Sequence, residues 1–394
     1  MGAGLAFVVP TGIVFSIMTT EPRQTEGIAP SLELVVPRGK EVRELREYLV
    51  AQGHEEHLTG LGVPRPARAI LEVLETWALI FGAWALCFHV SWFLLPVALV
   101  LVGSRQRALG NRLHDAAHGN MLKGRVLNQR VAALACGLPL FEHFDTYRNA
   151  HLRHHAYLGH AEKDPDYLSV PEAPAGRAHD AWSLYVFFVT DVRLWRDSVL
   201  ATLLRAPVDH RWRVLAWWTG VLGALAWMGG WGAALSFAGL WLLSKMTAYH
   251  LIKIFAEISD HIGLRPGTVL GYTRNHPSNW VSFFLHPHHD NYHVTHHLFP
   301  RIPLANLPRM HQLLLPASQY AQAPTSRTTS TCRCRPSRRR STGRSTTSTS
   351  RASWRRTRCS VRRWSAPASS SSPRTSAWTA RGRSRTWRST ARRC

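Results

Sequence analysis

The sequence predicts an all-α integral membrane protein, with about four transmembrane helices in two hairpins and a cytoplasmic helical cap that carries clustered histidines. Three observations predict it. Two long apolar blocks are almost free of charge, Lys and Arg gather at their bases and not at their turns, and histidines recur in three groups at helical offsets. The composition agrees: 45% of the 394 residues are hydrophobic and only 18% are charged, against roughly 25% charged in soluble domains.

The chain opens on AGLAFVVPTGIVFSI (3–17), which is apolar but shorter than the roughly 20 residues a spanning helix needs. No basic segment precedes it as in a signal peptide. Met18 begins the polar stretch MTTEPRQ, so residues 1–17 read as upstream sequence and Met18 as the true start. Within the N-terminal region, residues 1–69, KEVRELREYLVAQGHEEHL (40–58) has the charge and leucine spacing of a short amphipathic helix.

A membrane domain is expected over residues 70–316. Thr76 to Val102, TWALIFGAWALCFHVSWFLLPVALVLV, has His89 as its only readily ionisable residue and suits two tightly connected spans. Val214 to Leu243 forms a second block, and GGWG at 229–232 marks a turn between two more. Arg105, Arg107 and Arg112 follow the first hairpin, Arg205, Arg211 and Arg213 precede the second, and Lys245 and Lys253 follow it. Both hairpins therefore open to the cytoplasm. Between them, VAALACGLPLF (131–141) is about half a span and reads as interfacial or re-entrant, and SLYVFFVTDVRLW (183–195) reads as an interfacial helix.

Net charge is +24, which at face value suggests a nucleic-acid or anionic-membrane partner. The charge is uneven. Thr325–Cys394 holds about 20 Arg and no Lys, Asp or Glu, leaving about +4 for the rest. Residues 317–394 form an Arg/Ser/Thr-rich tail, disordered by composition. Its mix is also what GC-rich DNA encodes out of frame, and a frameshift near residue 323 is the favoured reading. Four of the six cysteines lie in the tail, and Cys87 and Cys136 sit in apolar runs, so no disulfide framework or Cys-type zinc site is expected. The tail lacks any RNP, zinc-finger or helix-turn-helix pattern, so nucleic acid is not an expected partner. A membrane zinc peptidase would need HExxH, which does not occur.

The histidines carry the chemistry. HPHHDNYHVTHHLFP (286–300) places six within twelve positions. The clusters are HDAAH (His114, His118), HLRHH (His151, His154, His155) and HVTHH (His293, His296, His297). Offsets of three and four fall on one helix face, so each cluster can present its imidazoles together. All three share the cytoplasmic face if 131–141 does not cross. Eight imidazoles are too many for one metal ion and about right for two, and a nitrogen-rich set suits iron, zinc or copper.

At these motifs, HxxxH at 114–118 and HxxHH at 151–155 and 293–297, the chain resembles the membrane fatty acid desaturase family, related to membrane hydroxylases and carotenoid ketolases. YRNAHLRHHAYLGHAEKDPDY and NYHVTHHLFPRIPLANLP look like its bacterial acyl-lipid or acyl-CoA members, and the likeness covers roughly residues 70–316. The resemblance implies two non-haem iron ions held by His114, His118, His151, His154, His155, His293, His296 and His297, with His261 of EISDH as a ninth ligand. It implies O2 as co-substrate and a lipid or acyl thioester as substrate. With no HPGG-type haem segment or CxxC in the chain, the electrons would come from a separate ferredoxin or cytochrome b5-like protein. A hydroxylase or ketolase acting on a lipid or carotenoid is the alternative. Asp115 and Asp164 are the acids expected to orient imidazoles through their other ring nitrogen. His286, His288 and His289, like His143, His160, Asp166, Asp290 and Asn291, are expected near the site or at the surface rather than as ligands.

Overall fold

The computed structural model describes residues 38–171, 180–264 and 266–325. The expected upstream segment 1–17 and the tail beyond Thr325 lie outside the described residues. Among the described residues there is no strand, only one bridge between Asn275 and Thr325.

The N-terminal helix expected over 40–58 is two helices, α1 (Arg38–Ala51) and α2 (Glu55–Leu61), parted where Gly53 takes a left-handed φ of 75°. The first apolar block is a hairpin of α3 (Pro66–His89) and α4 (Leu95–Ala117), and Ser91 at its tip accepts a hydrogen bond from the Phe93 N–H. Next come α5 (Arg125–Ala132) and the short α6 (Leu138–Leu140), joined by a π-helical turn at Ala133–Gly137. These precede α7 (Phe144–Tyr157). The stretch expected as one interfacial helix is two, α8 (Ala181–Val189) and α9 (Val192–Leu200), each begun by an Asp side chain, Asp180 and Asp191, that accepts a backbone N–H of the first turn.

The second apolar block is α10 (Val208–Ser244), which runs through a π-helical turn at Lys245–Tyr249 into α11 (His250–His261). It is not one straight rod. Gly230 has φ 76° and ψ 174°, and the Trp218 and Trp241 rings lie 5.4 Å apart, whereas a continuous helix would hold them about 35 Å apart. The chain folds back at the GGWG turn, as its sequence predicts. Short helices complete the description: α12 (Val269–Tyr272), α13 (Trp280–Leu285), α14 (His293–Leu298), α15 (Leu307–Leu314) and α16 (Ser318–Ala321).

Among the described residues, three segments are long and apolar enough to cross a membrane: Pro66–His89, Trp92–Ala117 and Val208–His261. Large apolar side chains point outward along them and at their turns, among them Leu71, Trp92, Phe93, Trp227 and Trp231. Such exposure is costly in water and expected against lipid. Inside, an aromatic column binds the hairpins: Trp77 stacks on Trp241 at 5.5 Å, Phe81 on Phe237 at 5.0 Å, and Trp84 Nε1–H donates to Ser236 Oγ at 3.0 Å.

A second core backs the histidines. Val294 and Leu298 of α14 pack with Leu45 and Leu49 of α1 and with Leu307, Met310 and Leu314 of α15. The same helix thus turns Val294 and Leu298 to a core and its three histidines the other way. Tyr320 of α16 is buried in this core, and its hydroxyl lies 2.5 Å from Thr295 Oγ1 and accepts from Asn275 Nδ2 at 2.9 Å. The expected domain boundary at Pro316 therefore falls short of the packed chain, which continues to Ala323.

Candidate metal centre

His114 sits on the last turn of α4 and His118 at its C-cap; α7 carries His151, His154 and His155; α11 ends at His261; α14 carries His293, His296 and His297. The fold brings all nine together in two sets. Ring nitrogens of His114, His118, His151, His155 and His296 lie within 4.8 Å of one another, and those of His154, His261, His293 and His297 do the same. The sets are interleaved: the second and third clusters each divide between them, and the His155 and His297 rings stack across the boundary at 4.3 Å.

Nitrogen–nitrogen distances test whether these residues fit a metal. Nε2 of His118 lies 2.8 Å from Nε2 of His151, His155 from His296 at 3.0 Å, and His293 from both His261 and His297 at 3.1 Å. A first-row ion with imidazole nitrogens at about 2.0–2.1 Å holds neighbouring ligands about 3 Å apart. Hydrogen bonds alone do not account for the cluster. Each Nε2 of a neutral ring has either one proton or one lone pair, yet His293 Nε2 faces two other Nε2 atoms. One proton there could at best be shared weakly between the two, whereas a cation would take the lone pairs of all three.

Electrostatics favours the same chemistry. Burial, with the Arg148 charge adding to it, holds His118 down to about 4. Burial first and neighbouring imidazoles second hold His151, His155, His296 and His297 well below their ordinary value. At neutral pH these rings are uncharged, with lone pairs free for a metal.

Partners on the far ring nitrogen fix two tautomers. Asp164 Oδ1 lies 2.8 Å from His154 Nδ1, and its carboxylate also accepts the Gly159 and Asp166 N–H groups. Burial alone would raise the Asp164 carboxyl, but those hydrogen bonds outweigh it and hold it below its usual range. His154 therefore donates from Nδ1 and keeps its Nε2 lone pair for the site. His261 Nδ1 donates to the Tyr272 carbonyl at 3.0 Å with the same result.

Asp115 behaves differently from expectation. Its carboxylate meets Arg112 at 3.3 Å and accepts the Leu304 N–H at 3.2 Å, and it touches no imidazole of the site. The reason is angular: one residue past His114, a helix has turned by about 100°. Arg112 in turn reaches Glu72 of α3 at 2.7 Å, so Asp115 fastens α4 to its neighbours.

The remaining residues frame the site. His286 stacks on His276 at 4.4 Å, His288 Nε2 lies 3.3 Å from Thr76 Oγ1, and His289 Nε2 lies 3.3 Å from Arg68. His143 starts α7 by accepting the Thr146 N–H, and His160 accepts from Glu162 and Lys163. Asp166 stands 3.8 Å from His154 but is half exposed, Asp290 is held by Arg107 at 2.8 Å, and Asn291 donates to the His276 carbonyl. The sequence reading missed Asp260 and His276. Asp260 Oδ1 lies 2.8 Å from His276 Nε2, and Oδ2 lies 3.8 Å from His293 Nε2. Neither carries a signal of spacing: directly before His261 on α11, Asp260 is turned about 100° from it, and His276 stands outside any helix.

Comparison with known proteins agrees with this geometry. A family model described as fatty acid desaturase matches residues 90–329. Dihydrorhizobitoxine desaturase of Bradyrhizobium elkanii is 27% identical over 66% of this chain and 78% of its own length. The sn-1 acyl-lipid omega-3 desaturase (ferredoxin) of Synechocystis is 25% identical over 73% of this chain and 85% of its own. The chloroplastic omega-6 fatty acid desaturase of Brassica napus is 23% identical, and the match spans 56% of this chain and 54% of that protein.

Proposed function

The chain belongs to the fatty acid desaturase family, and we propose that it is a multi-pass membrane enzyme whose two histidine sets hold two iron ions for O2-dependent desaturation of an acyl chain. It is an oxidoreductase of the desaturase type. One observation carries the finer reading: nine imidazoles from four helices form two sets at metal-ligand spacing. In the overall reaction one CH2–CH2 unit, O2, two electrons and two protons give one CH=CH and two waters. The oxidising power comes from O2 and bound iron, because no side chain can take hydrogen from an unactivated carbon.

The protein's own part is placement. Asp164 and the Tyr272 carbonyl hold His154 and His261 in the tautomer that turns Nε2 inward. Arg107 with Asp290, and Arg112 with Glu72, tie the segment before α14 and helix α3 to α4, so the clusters keep one spacing. Burial of the rings keeps bulk water from the reacting atoms. The acyl-lipid substrate and ferredoxin named for the Synechocystis relative support an acyl lipid and a separate ferredoxin here.

The doubled-back α10 supports four crossings, with the histidines on the cytoplasmic side. Single cysteines at exposed Lys123, Arg153 and Arg301 are the suitable probes. These should react from the cytoplasm, and cysteines at Trp92 and Trp231 from outside. Labelling of position 153 from the side opposite to 123 and 301 would rule out a shared site. The function itself is tested by acyl profiling of a host expressing the chain. A new double bond is expected, and a hydroxylated or ketonic product from folded, iron-loaded protein would overturn desaturation.

A further inference from the structure

The two histidine sets differ in the charges beside them, and the difference centres on Asp260. This carboxylate lies on α11 one residue before His261 and is 3% exposed. His276 Nε2–H donates to its Oδ1 at 2.8 Å, and Oδ2 lies 3.8 Å from His293 Nε2. That nitrogen is the inward one, 3.1 Å from Nε2 of both His261 and His297. Asp260 therefore approaches the four-membered set from its inner side, whereas Asp164 stands behind His154 at Nδ1.

Residues 274–276 fix this arrangement. Arg274 N–H donates to the Asp260 carbonyl at 3.1 Å, His276 N–H to the Asn291 carbonyl at 2.8 Å, and Val294 N–H to Asn275 Oδ1 at 2.9 Å. They clip α11 to α14, the helices that carry His261 and His293. Two guanidiniums feel the Asp260 charge, but both are directed elsewhere. Arg274 donates to the Ser259 and Ile262 carbonyls at 2.6 and 3.0 Å, and Arg107 pairs with Asp290 at 2.8 Å.

The five-membered set has the opposite surroundings. Asp115, next to His114, is paired with Arg112 at 3.3 Å. Arg148 Nε–H donates to the Ala117 carbonyl at 3.1 Å, beside His118, and burial first and this charge second hold His118 down to about 4.

We propose that Asp260, aimed by His276, and Arg148 set the order in which the two positions lose electrons, with the four-membered position becoming ferric first. The inference rests on the two-iron reading and adds which ion is the more readily oxidised. An ion bonded to His293 Nε2 at about 2.0–2.1 Å lies no more than about 6 Å from Asp260 Oδ2. At that separation in a buried site, one unit of charge shifts an equilibrium by more than tenfold. The step is loss of one electron from Fe(II) to give Fe(III), with no bond broken and no proton moved. A carboxylate favours the more highly charged product, and a guanidinium opposes it.

The test uses the full chain in phosphatidylcholine nanodiscs, loaded anaerobically with iron and equilibrated with mediators of graded potential. Mössbauer spectra count the ferric fraction at each position, so both midpoints are read without turnover. Asp260→Asn should raise the lower midpoint by at least tenfold in the redox equilibrium, about 59 mV for one electron, and leave the higher one in place. Asp260→Glu, which keeps the charge, should shift it much less. Arg148→Met should lower the higher midpoint several-fold, and so keeps the test open if Asp260→Asn does not fold. Asp115→Asn should move neither midpoint, because Arg112 already offsets that carboxylate. A gap unchanged in Asp260→Asn or in Arg148→Met, or equal shifts in Asp260→Asn and either Asp260→Glu or Asp115→Asn, would overturn the proposal. So would one common midpoint for both ions, a result that leaves the two-iron reading standing. A chain that takes up no iron would instead bring down that reading, and the proposal with it.

Discussion

The two histidine sets are built from the same clusters but supported differently. In the four-membered set, the far nitrogens of His154 and His261 have defined acceptors, the Asp164 carboxylate and the Tyr272 carbonyl, while Nδ1 of His293 is buried with no partner among the described residues. In the five-membered set, Nδ1 of His114 and of His296 is buried with no partner among the described residues. One set has acceptors behind two of its four rings; the other relies on helix packing and close ring contact. The difference teaches that the two positions would be unequal in basicity and in tolerance of change, because a carboxylate behind an imidazole raises its strength as a ligand.

The largest effect should come from removing one ligand of each set. His155→Ala and His297→Ala are both expected to lower activity to background and to reduce the metal content of purified protein by different ions. If the two variants lose identical fractions with identical spectra, the sets are not separate positions. A smaller, selective effect is expected at the carboxylates. Asp164→Asn should weaken metal retention about 10- to 100-fold at one position only, measured by chelator competition, while Asp115→Asn should leave retention unchanged. Equal losses in the two would erase the distinction drawn between them. The mildest expected effect falls on both sets alike. Tyr320→Ala removes the ring behind α14, which supplies ligands to both, and should cost about 3 kcal/mol of stability with the ratio of the two metals unchanged. Truncation after Thr325 should preserve stability and activity, since among the described residues both sets and the side chains packed behind them lie earlier.

Much of this was legible in the sequence because it depends on short-range periodicity. Offsets of three and four place His151, His154 and His155 on one face whatever surrounds them, and an uncharged block with a GGWG interruption announces a helical hairpin. What was misread depends on direction or on distant partners. Asp115 was grouped with His114 by adjacency, although adjacency on a helix means divergence. His276 has no periodic relation to Asp260, and only the fold brings them to 2.8 Å. The break at Gly53 needed a backbone angle, and the packing of residues 317–323 was hidden by a change in composition that begins just beyond them.

Metal content of anaerobically purified, active protein tests the central claim most directly, with iron and zinc counted per chain and the iron examined by Mössbauer spectroscopy. Nine converging imidazoles in two sets predict about two irons per chain, in two nitrogen-rich environments that are distinguishable from each other. A single ion per chain, or stoichiometric zinc without iron in a protein that still desaturates, would contradict the account.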